Sequence, residues 1–308
     1  MKTNRFMCAL GAAAILAAAA SCNKNDSEST YTTSYPVYNL YTPLSGDRPA
    51  HVSPATYQLH YDLVAITVEV SASGLTWNNT SYNFTTSATR FTSGYASDGG
   101  EMIEFKDASA TVDGMPLSLT GMLTNRKYYT TQVVPGIKGG ALNYRELPVV
   151  AFSYNVGDLY SVRTFNTEAY MGGKTETTYE WEGETKTYTN DKMLYRTVID
   201  TQTMTADMVI YNARFAEEMG RDLVAVVVKG LKVEWTPNGY RMSGNDIIPQ
   251  YLEGGALQPI PPFTFNSISV STVGDRMTDF VIDYEVAGQY KGHFTGSVIL
   301  PLPGNDKQ

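Results

Sequence analysis

The sequence predicts an all-β protein made of two tandem antiparallel β-barrel-like domains, on the strength of three observations. Thr, Val and Tyr are abundant, with 22 Tyr among 308 residues, and these residue types favour the pleated surface of a β-sheet. Short segments of alternating apolar and polar residues recur between turn-forming residues, without a long amphipathic helix pattern. Motifs of the first half also recur in the second half in the same order, which indicates a duplicated unit.

A β-hairpin pattern occurs once in each half. Val226–Met242 is rich in β-branched residues up to Trp235, and the following Thr-Pro-Asn-Gly suits a tight reversal before Tyr240. Gly74–Tyr82 repeats the order: Gly-Leu, then Trp, four polar or turn residues, and Tyr. We therefore predict two copies of one β-unit.

Other motif pairs support the duplication. Tyr57 and Asp62 match Tyr195 and Asp200 at equal spacing. The remaining pairs are 39–46 with 166–173 and 154–160 with 284–290. Repeats of this length indicate domain duplication, because solenoid repeats have periods of about 20–50 residues.

Individual segments give strand predictions. Tyr57–Val70 alternates but changes face near Val64 and Ala65, which predicts a β-bulge. Leu223–Val228 is apolar on both faces and predicts a strand covered on both sides. Residues 217–219 predict one helical turn.

The N-terminus has the pattern of an export signal. Lys2 and Arg5 precede the apolar run 6–20, which is short for a membrane span, and small residues follow at a cleavage point. Residues 1–21 are predicted to be a signal peptide. The motif Ala-Ala-Ser-Cys22 resembles the lipobox of bacterial lipoproteins, although Ala19 occupies the position where that family prefers Leu. Ordinary cleavage after Ala20 is the alternative.

The lipobox resemblance implies acylation of Cys22 and a membrane partner for the mature N-terminus. Cys8 lies inside the signal, so Cys22 is the only cysteine left after cleavage and no intramolecular disulfide can form. Residues 22–37 are predicted to be a lipidated tether. Its Lys24, Asp26 and Glu28 resemble the surface-export signal of Bacteroidota lipoproteins, and a periplasm-facing protein is the alternative.

Domain limits follow from the duplication: β-domain 1 is predicted at residues 38–164 and β-domain 2 at residues 165–308. Each unit resembles the calycin-like (lipocalin-like) domains of secreted Bacteroidota lipoproteins. The shared motifs are the Tyr-x-x-x-x-Asp strand start, Thr-Ala-Asp-Met at 205–208, and Tyr-x-Val-x-Gly at 284–288. The resemblance implies a closed barrel, and an immunoglobulin-like β-sandwich is the alternative.

Composition and motifs argue against several functions. The net charge is −8, and −10 without Lys2 and Arg5. The protein therefore lacks the concentration of basic residues that nucleic-acid-binding proteins have. The three His lack the spacing of a zinc site, and no nucleotide-binding or nucleophile motif is present. Glu180–Glu184 superficially resembles a glycosidase carboxylate motif, but Gly183 interrupts it. We therefore predict no metal, no cofactor and no enzyme activity.

The tentative contact residues are Tyr179, Trp181 and Tyr188. A turn at Glu182-Gly183 would place them on one face of a hairpin, inside a segment 11 residues longer than its counterpart in the first half. Their rings offer an apolar face and a polar edge, which suits a carbohydrate or protein partner. The alternative is that the rings pack against the neighbouring domain.

These observations together predict a non-enzymatic, lipid-anchored outer-membrane protein, facing either the cell surface or the periplasm, that binds a ligand. A barrel could hold a small apolar molecule in its mouth, and a glycan or protein partner is the other expected ligand. The alternative is a structural or adhesive surface lipoprotein with filled domains. An open apolar cavity would favour the first reading and packed interiors the second.

Overall fold

The computed structural model describes residues 29–45, 49–95, 101–128, 145–236, 239–253, 256–274 and 277–298. The predicted signal peptide, Cys22 and the first part of the predicted tether lie outside the described residues. Across the described ranges the regular structure is β-strand apart from one 3-10 turn, η1, at Pro261–Phe263. No helix in these ranges has the length and apolarity needed to cross a membrane.

The chain divides into two compact units, and the boundary along the chain follows Asn166. The strands of unit 1 are β1 (Thr30–Pro43), β2 (His51–Asp62), β3 (Thr67–Trp77), β4 (Thr80–Thr85), β5 (Thr89–Tyr95), β6 (Glu101–Val112), β7 (Met115–Tyr128), β8 (Arg145–Val156) and β9 (Tyr160–Phe165). Eight of them follow one another around a closed antiparallel barrel, since β9 pairs with β1. The ninth, β4, extends from β3.

Unit 2 repeats the arrangement with additions. Its strands are β10 (Glu168–Trp181), β11 (Glu184–Asn190), β12 (Leu194–Asp200), β13 (Thr205–Ala213), β14 (Leu223–Thr236), β15 (Gly239–Ile247), β16 (Gln250–Glu253), β17 (Ala256–Pro259), β18 (Phe265–Val273), β19 (Asp279–Val286) and β20 (Tyr290–Val298). A second eight-strand antiparallel barrel closes between β20 and β10, while β11 extends from β10 and β16–β17 attaches to β14. The predicted fold class is confirmed, and it is the barrel rather than the sandwich.

The first strand begins earlier than predicted. The tether was expected to reach residue 37, but β1 starts at Thr30. The side chains of Thr33, Tyr35 and Val37 are buried and alternate with exposed neighbours, and this segment pairs with β2 along its length. An inward-facing row of Tyr, Thr and Val therefore recruits the polar N-terminal segment into the barrel wall.

The predicted bulge near Val64 is a four-residue turn at 63–66 instead. The Asp62 carboxylate accepts hydrogen bonds from the backbone N–H groups of Val64 and Ala65, at 2.9 and 2.8 Å. Asp200 closes the matching turn between β12 and β13 by accepting from Gln202 and Thr203. The matched aspartates thus cap equivalent turns in the two barrels.

The two Trp hairpins form, but they are not equivalent. Trp77 lies on the third strand around the first barrel and pairs with Thr80. Trp235 lies on the fourth strand around the second barrel and pairs with Tyr240. The Gly-Leu-Trp-Tyr pattern therefore reflects general hairpin chemistry, whereas the capped turns mark the true repeat.

Candidate functional site

The β10–β11 hairpin has the predicted register. The cross-strand pairs are Trp181 with Glu184, Tyr179 with Lys186, and Thr177 with Tyr188. Glu182 and Gly183 form the turn with φ of 53° and 82°, the left-handed values that a two-residue reversal needs. Strand β20 pairs with β10 only as far as Thr178, so the tip of the hairpin continues beyond the barrel wall.

Tyr179 is buried, contrary to the expectation of a contact residue. Its side chain is 3% exposed, and its hydroxyl donates to Glu218 Oε2 at 2.5 Å while accepting from the backbone N–H of Glu217 at 3.4 Å. Its ring centroid lies 5.8 Å from that of Tyr290. Tyr179 therefore packs onto its own unit, against the segment between β13 and β14, and does not present a free ring.

Tyr188 is half-buried on the same hairpin face. The guanidinium carbon of Arg214 lies 5.6 Å from its ring centroid, a cation–π geometry. Arg214 also donates to the backbone carbonyl oxygens of Ala216 and Glu217, at 3.2 and 2.5 Å. One face of the Tyr188 ring is thus occupied from within the protein.

Trp181 is the predicted contact residue that remains accessible. It is 40% exposed, whereas Tyr179, two residues earlier on the same face, is 3% exposed. Glu180, Glu182 and Glu184 around it are all exposed. Of the three predicted residues, Tyr179 and Tyr188 therefore pack against the protein at the lower end of the hairpin. Trp181 is exposed at the tip, among carboxylates.

Glu218 joins the hairpin to the segment 214–222. Its Oε1 accepts from Lys186 Nζ at 2.7 Å, and its Oε2 accepts from Tyr179. These two donors lower the pKa of Glu218 to about 2, with Lys186 the larger cause, and Glu218 in turn raises the pKa of Lys186. Sequence reasoning missed this residue, because it predicted a helical turn at 217–219 where the structure has a simple turn.

Large aromatic side chains lie buried in the interiors of both barrels. A Cβ added at Gly121 would lie 2.3 Å from Phe105 Cζ, and one at Gly292 would lie 1.9 Å from Tyr284 Cζ. Aromatic rings thus occupy the space that these glycines leave. An eight-strand barrel is just wide enough for side chains to fill it, and here large buried rings do so, including Tyr57 and Phe152 in unit 1 and Tyr195 and Phe265 in unit 2.

Part of the packing of unit 1 is polar. The Tyr57 hydroxyl donates to Asn39 Oδ1 at 3.1 Å and lies 3.0 Å from the Tyr154 hydroxyl. Burial raises the pKa of both phenols, so they are neutral hydrogen-bonding groups near pH 7. The Tyr61 hydroxyl is also buried, and it has no hydrogen-bond partner within the described part of the chain.

The three histidines lie in separate environments. His51 stacks on Tyr41 with centroids 4.6 Å apart, His60 Nδ1 lies 2.9 Å from Thr32 Oγ1, and His293 Nδ1 lies 2.7 Å from Asp283 Oδ1. Over the described ranges, no group of three or more His, Cys, Asp or Glu is arranged to hold a metal ion.

No family model matches the chain, and neither does any curated protein. Several solved structures align with most of its length. One is a double mutant of transferrin-binding protein B from Haemophilus parasuis, which is 8% identical with a TM-score of 0.27. The alignment covers 89% of this chain and 76% of that protein's chain. The isotype 1 protein of serogroup B Neisseria meningitidis is 8% identical, with a TM-score of 0.27 and coverages of 87% and 77%.

A third aligned structure is the intact Ap-TbpB with N and C lobes. It is 9% identical, with a TM-score of 0.26 and coverages of 87% and 76%. With TM-scores this low, neither the fold nor a ligand of this chain is inferred from these proteins.

Proposed function

We propose that this chain is a non-enzymatic, lipid-anchored protein of the bacterial outer membrane that binds a protein partner through the tip of its β10–β11 hairpin. The observation that carries the proposal is Trp181, which is 40% exposed directly above the buried Tyr179. Trp is enriched among the residues that dominate binding energy at protein interfaces. An exposed Trp on a firmly held hairpin loses little conformational entropy on binding.

The base of the hairpin supports this role. Tyr179 and Lys186 both bond Glu218, on the segment between β13 and β14, and Arg214 contacts the Tyr188 ring. These contacts fix the two strands below the tip. The exposed carboxylates beside Trp181 favour a partner surface with basic groups.

The filled interiors favour the outer surface over the barrel mouth as the place of binding. Gly121 and Gly292 each face an aromatic ring at a distance too short for even a methyl group. A small apolar ligand inside a barrel is therefore not part of the proposal. The same filling supports a second candidate, an adhesive surface lipoprotein whose packed domains present their loops.

Anchoring through acylated Cys22 and orientation towards the cell surface belong to the proposal and rest on the lipobox resemblance. The binding role is tested by photo-crosslinking in cells that express the full chain, with benzoylphenylalanine at position 181. An adduct with a defined protein from this position, and none from an exposed control position, supports the proposal. Absence of any adduct from position 181 contradicts it.

A further inference from the structure

The outer face of unit 2 carries a polar groove of about 640 Å³, separate from the hairpin tip. This volume lies in the range of about 300–1,000 Å³ that is usual for small-molecule sites. The floor of the groove is made of short side chains on two neighbouring strands, Ser243 on β15 and Ser267 and Ser269 on β18. The other polar side chains that line the groove are longer: Arg241, Asn245, Asp283, Glu285, Lys291 and His293.

The strand register arranges the lining side chains in two parallel rows. Ser243, Ser269, Asp283 and His293 follow one another directly across four strands in the first row. Asn245, Ser267, Glu285 and Lys291 form the second row. Neighbouring strands are about 4.8 Å apart, so three steps give each row a length of roughly 14 Å. The groove is long enough for a short chain of sugar rings.

The walls are held in place by contacts within the groove. Arg241 Nε donates to Ser269 Oγ at 3.0 Å, and His293 Nδ1 lies 2.7 Å from Asp283 Oδ1. The second row is different, because Asn245, Ser267, Glu285 and Lys291 make no side-chain hydrogen bond or ion pair with described residues. The side chains of the first row are thus held by hydrogen bonds within the groove, whereas those of the second row have donors and acceptors available for a ligand.

We propose that this groove binds a neutral oligosaccharide. Sugar hydroxyls both donate and accept hydrogen bonds, and the open row matches them with an acceptor-only carboxylate, a donor-only ammonium, and Asn and Ser groups that do both. The charges of Arg241 and Lys291 balance those of Asp283 and Glu285, which favours a neutral ligand over an ionic one. The polar lining disfavours an apolar ligand. The proposal adds a second site to the proposed binding function and does not depend on Trp181.

Titration calorimetry with cellohexaose, maltohexaose and xylohexaose, and with an acidic oligogalacturonate, tests the proposal on the purified mature protein. Ser267→Phe places a ring on the groove floor at an exposed strand position, so it should leave the melting temperature unchanged and weaken oligosaccharide binding at least tenfold. The matched control is Ser34→Phe, an exposed position on β1 in unit 1, which should bind like the parent. Trp181→Ala should also leave this binding unchanged.

A second pair of variants guards against misfolding of Ser267→Phe. Glu285→Gln and Lys291→Met remove the open charged groups with little change in size, and each should weaken binding of the same oligosaccharide several-fold. The proposal is overturned if none of the three neutral hexaoses binds, if only oligogalacturonate binds, or if the Ser267, Glu285 and Lys291 variants bind as the parent does. Loss of binding in Trp181→Ala would place the sugar at the hairpin and would overturn the groove assignment too.

Discussion

The hydroxyl oxygens of Tyr57 and Tyr154 lie 3.0 Å apart inside the first barrel. The residues that sequence matching pairs with them, Tyr195 and Tyr284, are likewise buried inside the second barrel, where their hydroxyl oxygens lie 3.0 and 3.3 Å from Thr175 Oγ1 and Thr177 Oγ1. In each barrel one tyrosine lies on a strand near the start of the unit and the other on a strand near the end. The duplication therefore extends from the sequence motifs to a pair of buried tyrosines inside each barrel.

The Tyr57 hydroxyl is expected to contribute to stability, because Asn39 Oδ1 accepts its hydrogen bond in a buried site. Tyr57→Phe leaves that acceptor unsatisfied, which should cost about 1–3 kcal/mol in the free energy of unfolding. Tyr61→Phe is the matched control, because it removes a buried hydroxyl without a partner in the described residues and should be neutral or stabilising. Urea denaturation of both variants measures the difference. Equal losses in the free energy of unfolding would contradict a stabilising role for the hydrogen bond from Tyr57 to Asn39.

Filling of the second barrel is tested at Gly292. A Cβ there would lie 1.9 Å from Tyr284 Cζ, so Gly292→Ala should destabilise the protein by about 1–3 kcal/mol through overpacking. Gly220 has no atom within 4 Å of an added Cβ, and Gly220→Ala should have little effect. If Gly292→Ala melts at the parental temperature, the interior has room to spare and an internal ligand returns to consideration.

The lowered pKa of Glu218 predicts that the contact between the β10–β11 hairpin and the segment 214–222 depends on pH. Because the folded-state pKa of about 2 lies below the ordinary value of 4.5, the stabilisation is complete above about pH 4.5 and is lost as the pH falls through about 2. Glu218→Gln should therefore lower the melting temperature at pH 7 and converge with the parent near pH 2. Glu184→Gln, at the exposed tip, serves as the control and should track the parent throughout. A gap between Glu218→Gln and the parent that stays constant with pH would rule out the ionised contact.

Two aromatic residues on one hairpin face should differ in their contribution to folding. Tyr179 is buried and bonded to Glu218, so Tyr179→Ala should cost about 3 kcal/mol or more. Trp181 is 40% exposed, so Trp181→Ala should cost under about 1 kcal/mol. Thermal melts of the two variants give the comparison, and a large loss for Trp181→Ala would make it a core residue and remove the basis for the contact surface.

Membrane anchoring is tested at Cys22. Cys22→Ser removes the thiol that acylation requires and should move the protein from the membrane fraction to the soluble fraction. Fractionation with mass spectrometry of the mature N-terminus measures both effects. A Cys22→Ser protein that remains membrane-bound and lipid-modified would contradict the lipoprotein assignment.

Local patterns carried the predictions that succeeded. The alternation of apolar and polar residues predicted the strands, and the Glu182-Gly183 turn predicted the register of the β10–β11 hairpin. Both features depend on residues that are close in sequence. The motif pairs predicted the duplication. The two Trp hairpins, however, lie on the third strand of the first barrel and the fourth strand of the second, so they are not equivalent. The same turn residues recur wherever a hairpin reverses the chain. They therefore do not indicate which strand of the barrel a hairpin belongs to.

The predictions that failed depend on contacts distant in sequence. Tyr179 was expected to be accessible, and its burial arises from Glu218, 39 residues further along the chain. The groove escaped notice for the same reason, since Ser243, Ser269 and Asp283 become neighbours only through pairing of three strands. No spacing in the sequence signals either arrangement.

Photo-crosslinking at position 181 is the most direct test of whether Trp181 contacts a partner protein. Benzoylphenylalanine at this position retains an aromatic ring at the hairpin tip, and Val64, which is 80% exposed on the β2–β3 turn, provides a control position in the full chain. We predict a defined protein adduct from position 181, none from position 64, and loss of the adduct when unlabelled parent protein competes. An equal adduct pattern from both positions, or none from position 181, would contradict the assignment of Trp181 as the partner contact.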